Sequence, residues 1–255
     1  MMNIYEAISV RKSVRKYKME AISGKLMEDI SNYMQEIRAL FPAIHTEMAI
    51  IDNTKQKERL LGFFSVKAPY YLAIYSEDKD KCKMNAGYLM QQMALYLCCR
   101  GLGTCFLAST KIRAQKTPAG DKGLVFLMAF GKSVGSHVRK PIDANRLPLV
   151  DLCVYKEVTR QWMKQILEAA RMAPSYLNSQ PWRFVVYDNR FHIFSKKRSI
   201  EHLGKYDEIN FGIMFANIML VAEEIWQEVD LIRLEDISQR TFANNQYILS
   251  VILRP

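Results

Sequence analysis

Four short polar side chains lie close together in residues 170–182, which read A-R-M-A-P-S-Y-L-N-S-Q-P-W. They are Ser175, Asn178, Ser179 and Gln180. Because they mix neutral donors and acceptors, they suit the edge of a flat heterocycle better than a charged group. The alternative is an ordinary connecting loop that the large ring of Trp182 anchors in the core.

Two prolines fix where this loop begins and ends. An amphipathic pattern from Thr159 predicts a helix, and Pro174 must end it because a residue before proline is pushed out of helical conformation. Pro181 repeats this restriction, and the sequence R-F-V-V-Y at 183–187 predicts a strand. The polar residues therefore lie in a short ordered loop between a helix and a strand.

A second cluster, R-K-S-V-R at residues 11–15, could bind phosphate. If the chain leaves its first helix here, Arg11, Ser13 and Arg15 point to one side while Lys12 and Val14 point to the other. Two planar guanidinium groups around a hydroxyl suit a phosphate group. The alternative is a solvated basic helix end, which the helix dipole favours.

Two glycine-containing stretches do not match known nucleotide motifs. In G-L-G-T at 101–104, Phe106 occupies the position of the third glycine of a dinucleotide fingerprint, and the glycines follow a predicted helix. The sequence G-K-S at 131–133 is not a P-loop, because Phe126 replaces the required first glycine. Neither stretch predicts a nucleotide site by itself.

Composition indicates a globular protein that does not contact a membrane. Apolar residues make up 49% of the 255, residues 1–6 lack a secretory pattern, and the most apolar run, 86–99, is too short to span a bilayer. Five cysteines without metal-site spacing predict reduced thiols and no metal. The net charge of +10 comes from scattered basic residues that match no nucleic-acid module, and it suits anionic small molecules equally well.

The remaining patterns predict alternating helices and strands. Asn3 and Glu6 predict the capped start of a first helix. Further helices are predicted at 25–41, 55–64 and 85–100, and strands at 47–52, 70–75, 123–130 and 247–253. After Pro148 a similar order of helix, two strands and a long apolar helix recurs, which indicates an internal duplication with halves 1–150 and 151–255.

The chain resembles the nitroreductase superfamily of cytoplasmic, FMN-dependent oxidoreductases. The resemblance is specific at R-x-S-x-R, at G-L-G-T-x-F and at P-S-x-x-N-x-Q-P-W. It implies an α+β nitroreductase-like fold with a central mixed sheet flanked by helices, and FMN as cofactor. A basic residue before a proline also reaches the FMN phosphate in that family, and Arg139 matches it best, although an exposed basic turn is the alternative. The residues that the resemblance assigns to FMN are Arg11, Lys12, Ser13, Arg15, Phe106, Leu107, Ala108, Ser109, Arg139, Pro174, Ser175, Asn178 and Gln180.

The resemblance also implies how the two halves share one site. Nitroreductases are normally homodimers in which each flavin contacts the arginine stretch of one subunit and the asparagine loop of the other. Here the first half has R-K-S-V-R, and the second half has the loop from Pro174 to Pro181, the asparagine loop. We therefore expect two fused subunits with one FMN between them. Such a chain could act as a monomer, and its mirror site should stay empty.

The implied reaction has two steps, in which NAD(P)H reduces the flavin and a nitroaromatic, quinone or similar acceptor reoxidises it. The flavin N5 carries this chemistry, so no catalytic side chain is nominated. The sequence leaves three alternatives open. They are a flavin-binding or regulatory protein without turnover, another reaction of the family such as dehalogenation, and a basic nucleic-acid binder with coincidental motifs.

Overall fold

The computed structural model describes residues 2–58, 60–62, 65–112, 122–196 and 204–254. By its internal contacts the chain divides into two compact units, Met1–Ala144 and Asn145–Pro255. The boundary that the sequence places at residue 150 lies a few residues inside the second unit.

The first unit is built around a four-stranded antiparallel sheet. Its helices are α1 (Ile4–Val10), α2 (Gly24–Glu36) and α3 (Cys82–Cys99). Its strands are β1 (Thr46–Asp52), β2 (Leu60–Leu61), β3 (Tyr70–Ser76), β4 (Gly103–Leu107), β5 (Lys111–Ile112) and β6 (Gly123–Gly131), with β2 and β5 forming a separate small ladder.

The start of α1 and the end of α3 follow the sequence closely. The Asn3 side chain accepts the Glu6 amide at 2.7 Å, and the Glu6 side chain accepts the Asn3 amide at 3.1 Å, so the predicted capping box is confirmed. After α3, Gly101 has a φ of 79°, a left-handed conformation that glycine adopts without strain. This turn lets the chain reverse directly into β4.

Two predictions for the first unit are wrong at defined points. The helix predicted at 25–41 ends at Glu36, because side chains of α3 bind the backbone beyond it. Asn85 accepts the Phe41 amide at 2.9 Å, and Gln92 donates to the Arg38 carbonyl at 3.2 Å.

The helix predicted at 55–64 is replaced by turns and by β2. Asn53 holds this segment, since its Oδ1 accepts the Glu58 amide at 3.0 Å and its carbonyl accepts the Gln56 amide at 2.8 Å. The Leu60–Leu61 strand then pairs with β5. Residues 59 and 63–64 of the predicted helix lie outside the described residues.

The second unit contains a five-stranded mixed sheet with strand order β10-β11-β9-β8-β7. Its helices are α4 (Leu149–Leu152), α5 (Gln161–Met172), α6 (Asp207–Glu224) and α7 (Glu235–Ser238). Its strands are β7 (Cys153–Tyr155), β8 (Trp182–Val186), β9 (Arg190–Lys196), β10 (Glu228–Ile232) and β11 (Asn245–Arg254). Only the β7–β8 pair is parallel.

The two units repeat one topology. The order β1-β3-β6-β4 of the first matches β8-β9-β11-β10 of the second, and in each the second strand leads to an 18-residue helix, α3 or α6. Helices and largely antiparallel strands alternate in both units, so the predicted α+β class is confirmed. No helix in the described ranges is long and apolar enough to cross a membrane.

A buried polar chain links two strands of the second sheet. The Nδ1 atom of His192 lies 2.6 Å from the Ser250 hydroxyl, which lies 2.7 Å from the Tyr247 hydroxyl. Burial, followed by the nearby charge of Arg190, lowers the pKa of His192 below its ordinary value of 6.5, while Asp236 acts in the opposite direction. The folded protein therefore favours the neutral imidazole.

This lowered pKa predicts that the free energy of unfolding falls as the pH drops below 6.5. In that range the unfolded chain binds a proton at His192 that the folded chain resists, so acid favours unfolding. His192→Gln should flatten this part of the pH dependence. Urea unfolding midpoints at about pH 7.5 and about pH 5.5 measure this pH dependence in both proteins. An equal loss of stability between the two pH values in the natural protein and in His192→Gln would contradict the prediction.

Candidate functional site

Residues 11–17 form an extended segment, the strap, along the outer edge of β4. Arg11 has φ −58° and ψ 135°, so α1 ends before it as the alternating pattern predicts. Ser13 pairs with Thr104 in a parallel bridge, and Arg11 pairs with Val138 in an antiparallel one. The strap therefore brings the predicted phosphate-binding residues to β4 and to the segment that contains Arg139.

Arg11 and Arg139 place unpartnered positive groups inside the first unit. Arg11 is 3% exposed, and its guanidinium lies 5.9 Å from the ring centre of Phe106. Its Nη1 and the Nε and Nη2 of Arg139 are buried without a hydrogen-bond partner. Across the described ranges, no carboxylate lies within ion-pair distance of either side chain.

The surroundings of both arginines disfavour their charged forms. Burial, followed by the charge of Arg139, lowers the pKa of Arg11 to about 10. Burial also lowers the pKa of Arg139, against a smaller opposite effect of Asp143. Buried cations without a counter-charge are costly, so this arrangement suits an anionic ligand.

The other strap residues lie around the thiol of Cys105. Burial raises the pKa of Cys105, while the charges of Arg15 and Arg11 and, last, the Ser13 hydroxyl act in the opposite direction. Arg15 itself is exposed and Lys12 is half-buried. Arg11, Ser13 and Arg15 thus all influence the same thiol, and their joint contact with a phosphate stays a prediction.

The residues assigned to FMN after α3 have different environments. Phe106 is half-buried beside Arg11, and Ala108 and Ser109 form a half-buried turn. Leu107 packs in the hydrophobic core of the first sheet and is 2% exposed. Its side chain therefore has a structural role, and only its backbone is left to contact a ligand.

The asparagine loop of the second unit contains a 3-10 turn at Tyr176–Asn178. Leu177, Asn178 and Gln180 all have positive φ angles, of 51°, 55° and 43°. Pro174 is buried at its start, and Trp182 is 0% exposed at its end, which confirms that Trp182 is a core anchor. The loop is ordered between the two prolines, in a conformation that only asparagine among these residues adopts readily.

The polar side chains of this loop hold the segment 145–147. Arg146 Nη1 donates to Asn178 Oδ1 at 2.7 Å, and Asn178 Nδ2 donates to the Asn145 carbonyl at 3.0 Å. Gln180 Oε1 accepts the Leu147 amide at 2.7 Å.

Ser175 completes this support, because its hydroxyl accepts a hydrogen bond from the backbone N–H of Gln180 at 2.9 Å. The side chains that the sequence assigns to a heterocycle thus also stabilise their own loop.

Sequence reasoning missed two residues of these sites. The backbone of Thr104 pairs with the strap and its buried hydroxyl has no partner in the described structure, and Arg146 binds Asn178. Thr104 could have been found, since strand alternation places it on the same side as Phe106. Arg146 carries no local signal, because its contact spans 32 positions of sequence.

The fold is that of nitroreductases. The structure superposes on a protein from Thermotoga maritima MSB8 described as a "putative nitroreductase", with a TM-score of 0.64 and 21% sequence identity. This match covers 100% of the present chain and 95% of the other.

The sequence pattern of the family described as "Putative TM nitroreductase" matches residues 3–222. The chain belongs to this nitroreductase family.

Two shorter proteins show a weaker similarity. A nitroreductase family protein from Clostridium novyi NT has 18% identity and a TM-score of 0.44, covering 55% of this chain and 90% of its own. An FMN-dependent nitroreductase from Clostridium difficile R20291 has 18% identity and a TM-score of 0.42, covering 52% of this chain and 88% of its own. No curated protein matched the sequence.

The close approach of the strap to β4 depends on Gly103. A Cβ atom there would lie 2.7 Å from Cγ2 of Val14, whose amide donates to the Thr104 carbonyl at 2.9 Å. Gly103→Ala should therefore displace the strap, lower the free energy of unfolding by about 1–3 kcal/mol and speed hydrogen exchange of the Val14 amide.

Gly123→Ala is the matched control for this change. Gly123 begins β6, where an added Cβ would meet nothing within 4 Å. The free energy of unfolding of Gly123→Ala should stay within about 0.5 kcal/mol of that of the natural protein. Equal stability and equal exchange in the two variants would show that the strap does not need the glycine.

Proposed function

We propose that this protein is an FMN-dependent oxidoreductase that passes electrons from NAD(P)H to a nitroaromatic, quinone or similar small acceptor. Membership of the nitroreductase family gives the reaction class. The observation that carries the proposal is the set of buried nitrogen atoms without a hydrogen-bond partner on Arg11, which is buried, and on Arg139, which is half-buried; neither has a carboxylate partner in the described structure.

The donors of the first unit fit the phosphate of FMN. Orphaned nitrogen atoms of Arg11 and Arg139 can donate to a phosphate dianion, and this anion would relieve the repulsion between them. Ser13 and the exposed Arg15 lie on the same strap, where they can contact the phosphate or the adjoining ribityl chain. A neutral ligand would leave the two buried charges uncompensated.

The asparagine loop of the second unit would hold the isoalloxazine edge. Asn178 and Gln180 are fixed by the segment 145–147, so their amides need little further ordering when a ligand binds. Bound FMN would supply the hydride chemistry, and the protein would position it and keep water away. The sequence nominates no side-chain acid or base.

The visible spectrum of the purified protein tests the function directly. An oxidised flavin spectrum that bleaches with NADH or NADPH under anaerobic conditions, and returns with a nitroaromatic or quinone, supports the proposal. A flavin spectrum without bleaching would indicate a flavin-binding protein without this turnover. A colourless protein that does not bind added FMN would overturn the proposed cofactor.

Arg11→Met should separate ligand binding from stability. We expect the free energy of FMN binding to weaken by about 1.5–3 kcal/mol, because a charge-assisted contact to the phosphate is lost. Riboflavin affinity should change little. The free energy of unfolding without flavin should stay equal or rise, since a buried uncompensated charge is removed.

Arg100→Met is the control for net charge, because Arg100 is exposed at the end of α3. It should bind FMN as the natural protein does. Flavin titration followed by fluorescence measures each affinity, and urea unfolding measures each stability. An Arg11→Met protein that loses FMN and riboflavin equally would argue against a phosphate contact.

We further propose that each chain binds one FMN, as the sequence pattern of two fused subunits implies. The first unit contains the arginines and the second contains the amides, so saturation should occur near one FMN per chain at any oligomeric state. A mixture of Arg11→Glu and Asn178→Ala chains should not recover binding. Recovery would show that two chains build the site.

A further inference from the structure

Thr104 is the most deeply buried polar residue beside the strap. It is 1% exposed, and its Oγ1 has no hydrogen-bond partner in the described part of the chain. Its backbone carbonyl binds the strap by accepting the Val14 amide at 2.9 Å. A buried hydroxyl without a partner is unfavourable, so the position calls for an acceptor.

Strand geometry places the Thr104 side chain on the same side of the sheet as the ring that Arg11 contacts. Thr104 and Phe106 are two residues apart on β4 and therefore face the same side of the sheet. The Phe106 ring lies under the Arg11 guanidinium, 5.9 Å from its central carbon. Ser13, two residues after Arg11, is the bridge partner of Thr104.

We propose that the Thr104 hydroxyl donates a hydrogen bond to the same phosphoryl group that Arg11 binds. This inference rests on the proposed FMN site and adds a neutral donor to it. A hydroxyl can rotate to follow a phosphate oxygen, whereas a guanidinium holds its donors in a fixed plane. Thr104 thus completes the buried end of the site, while Arg15 lies at its exposed end.

Thr104→Val and Thr104→Ser form a matched pair for the test. Valine keeps the shape and removes the hydroxyl, and serine keeps the hydroxyl. FMN affinity should fall about tenfold in Thr104→Val and by less than about threefold in Thr104→Ser. Riboflavin affinity should be equal in all three proteins, because it lacks the phosphate.

Stability without flavin provides the second readout. Replacing an unsatisfied buried hydroxyl by a methyl group should leave the urea midpoint of Thr104→Val unchanged or raised. A purely structural threonine predicts the opposite, with a lowered midpoint and parallel losses of FMN and riboflavin. Unchanged FMN affinity in Thr104→Val, or an equal loss of riboflavin, would overturn the inference.

Inorganic phosphate separates this inference from the proposed cofactor. Phosphate should raise the thermal unfolding midpoint of the natural protein and of Thr104→Ser more than that of Thr104→Val. If the natural protein fails to bind FMN but shows this pattern, the anion site stands and the cofactor proposal fails. Equal phosphate effects in Thr104→Val and the natural protein would remove Thr104 from the site.

Discussion

Two guanidinium groups without an ion-pair partner in the described structure, one buried on Arg11 and one half-buried on Arg139, constrain the first unit of this protein. Arg11 and Arg139 repel each other in a place that water does not reach freely, and burial and this repulsion lower the pKa of Arg11. Such an arrangement persists only if the surrounding structure holds it. Gly101 turns the chain into β4, Gly103 admits the strap, and the strap then carries Arg11 over Phe106.

The two units show how one topology supports different chemistry. Both have the same order of four strands and a long buried helix, yet each adds a different element at a different edge. In the first, the strap lies along β4 and brings positive charge. In the second, β7 extends the sheet beside β8, and the loop before β8 brings neutral amides. The proposed function depends on these additions, and the repeated core supports them.

The asparagine loop is held in place by side-chain hydrogen bonds, whereas the strap is held by backbone pairing. Three of its residues have positive φ angles, which cost energy for side chains other than glycine or asparagine. Arg146 and the backbone of residues 145 and 147 compensate by binding Asn178 and Gln180. A loop fixed in this way can present its amides to a ligand with little loss of conformational entropy.

The sequence by itself determined the features that depend on neighbouring residues. The capping box of α1, the end of α5 before Pro174, the buried central helices and the exit of the chain at Arg11 all follow from local patterns. Only the tertiary structure decided where α2 ends, because Asn85 and Gln92 bind the backbone beyond it. Only the tertiary structure also decided that Arg11 is buried and which groups bind Asn178. These outcomes depend on groups tens of residues apart, whose proximity no local pattern encodes.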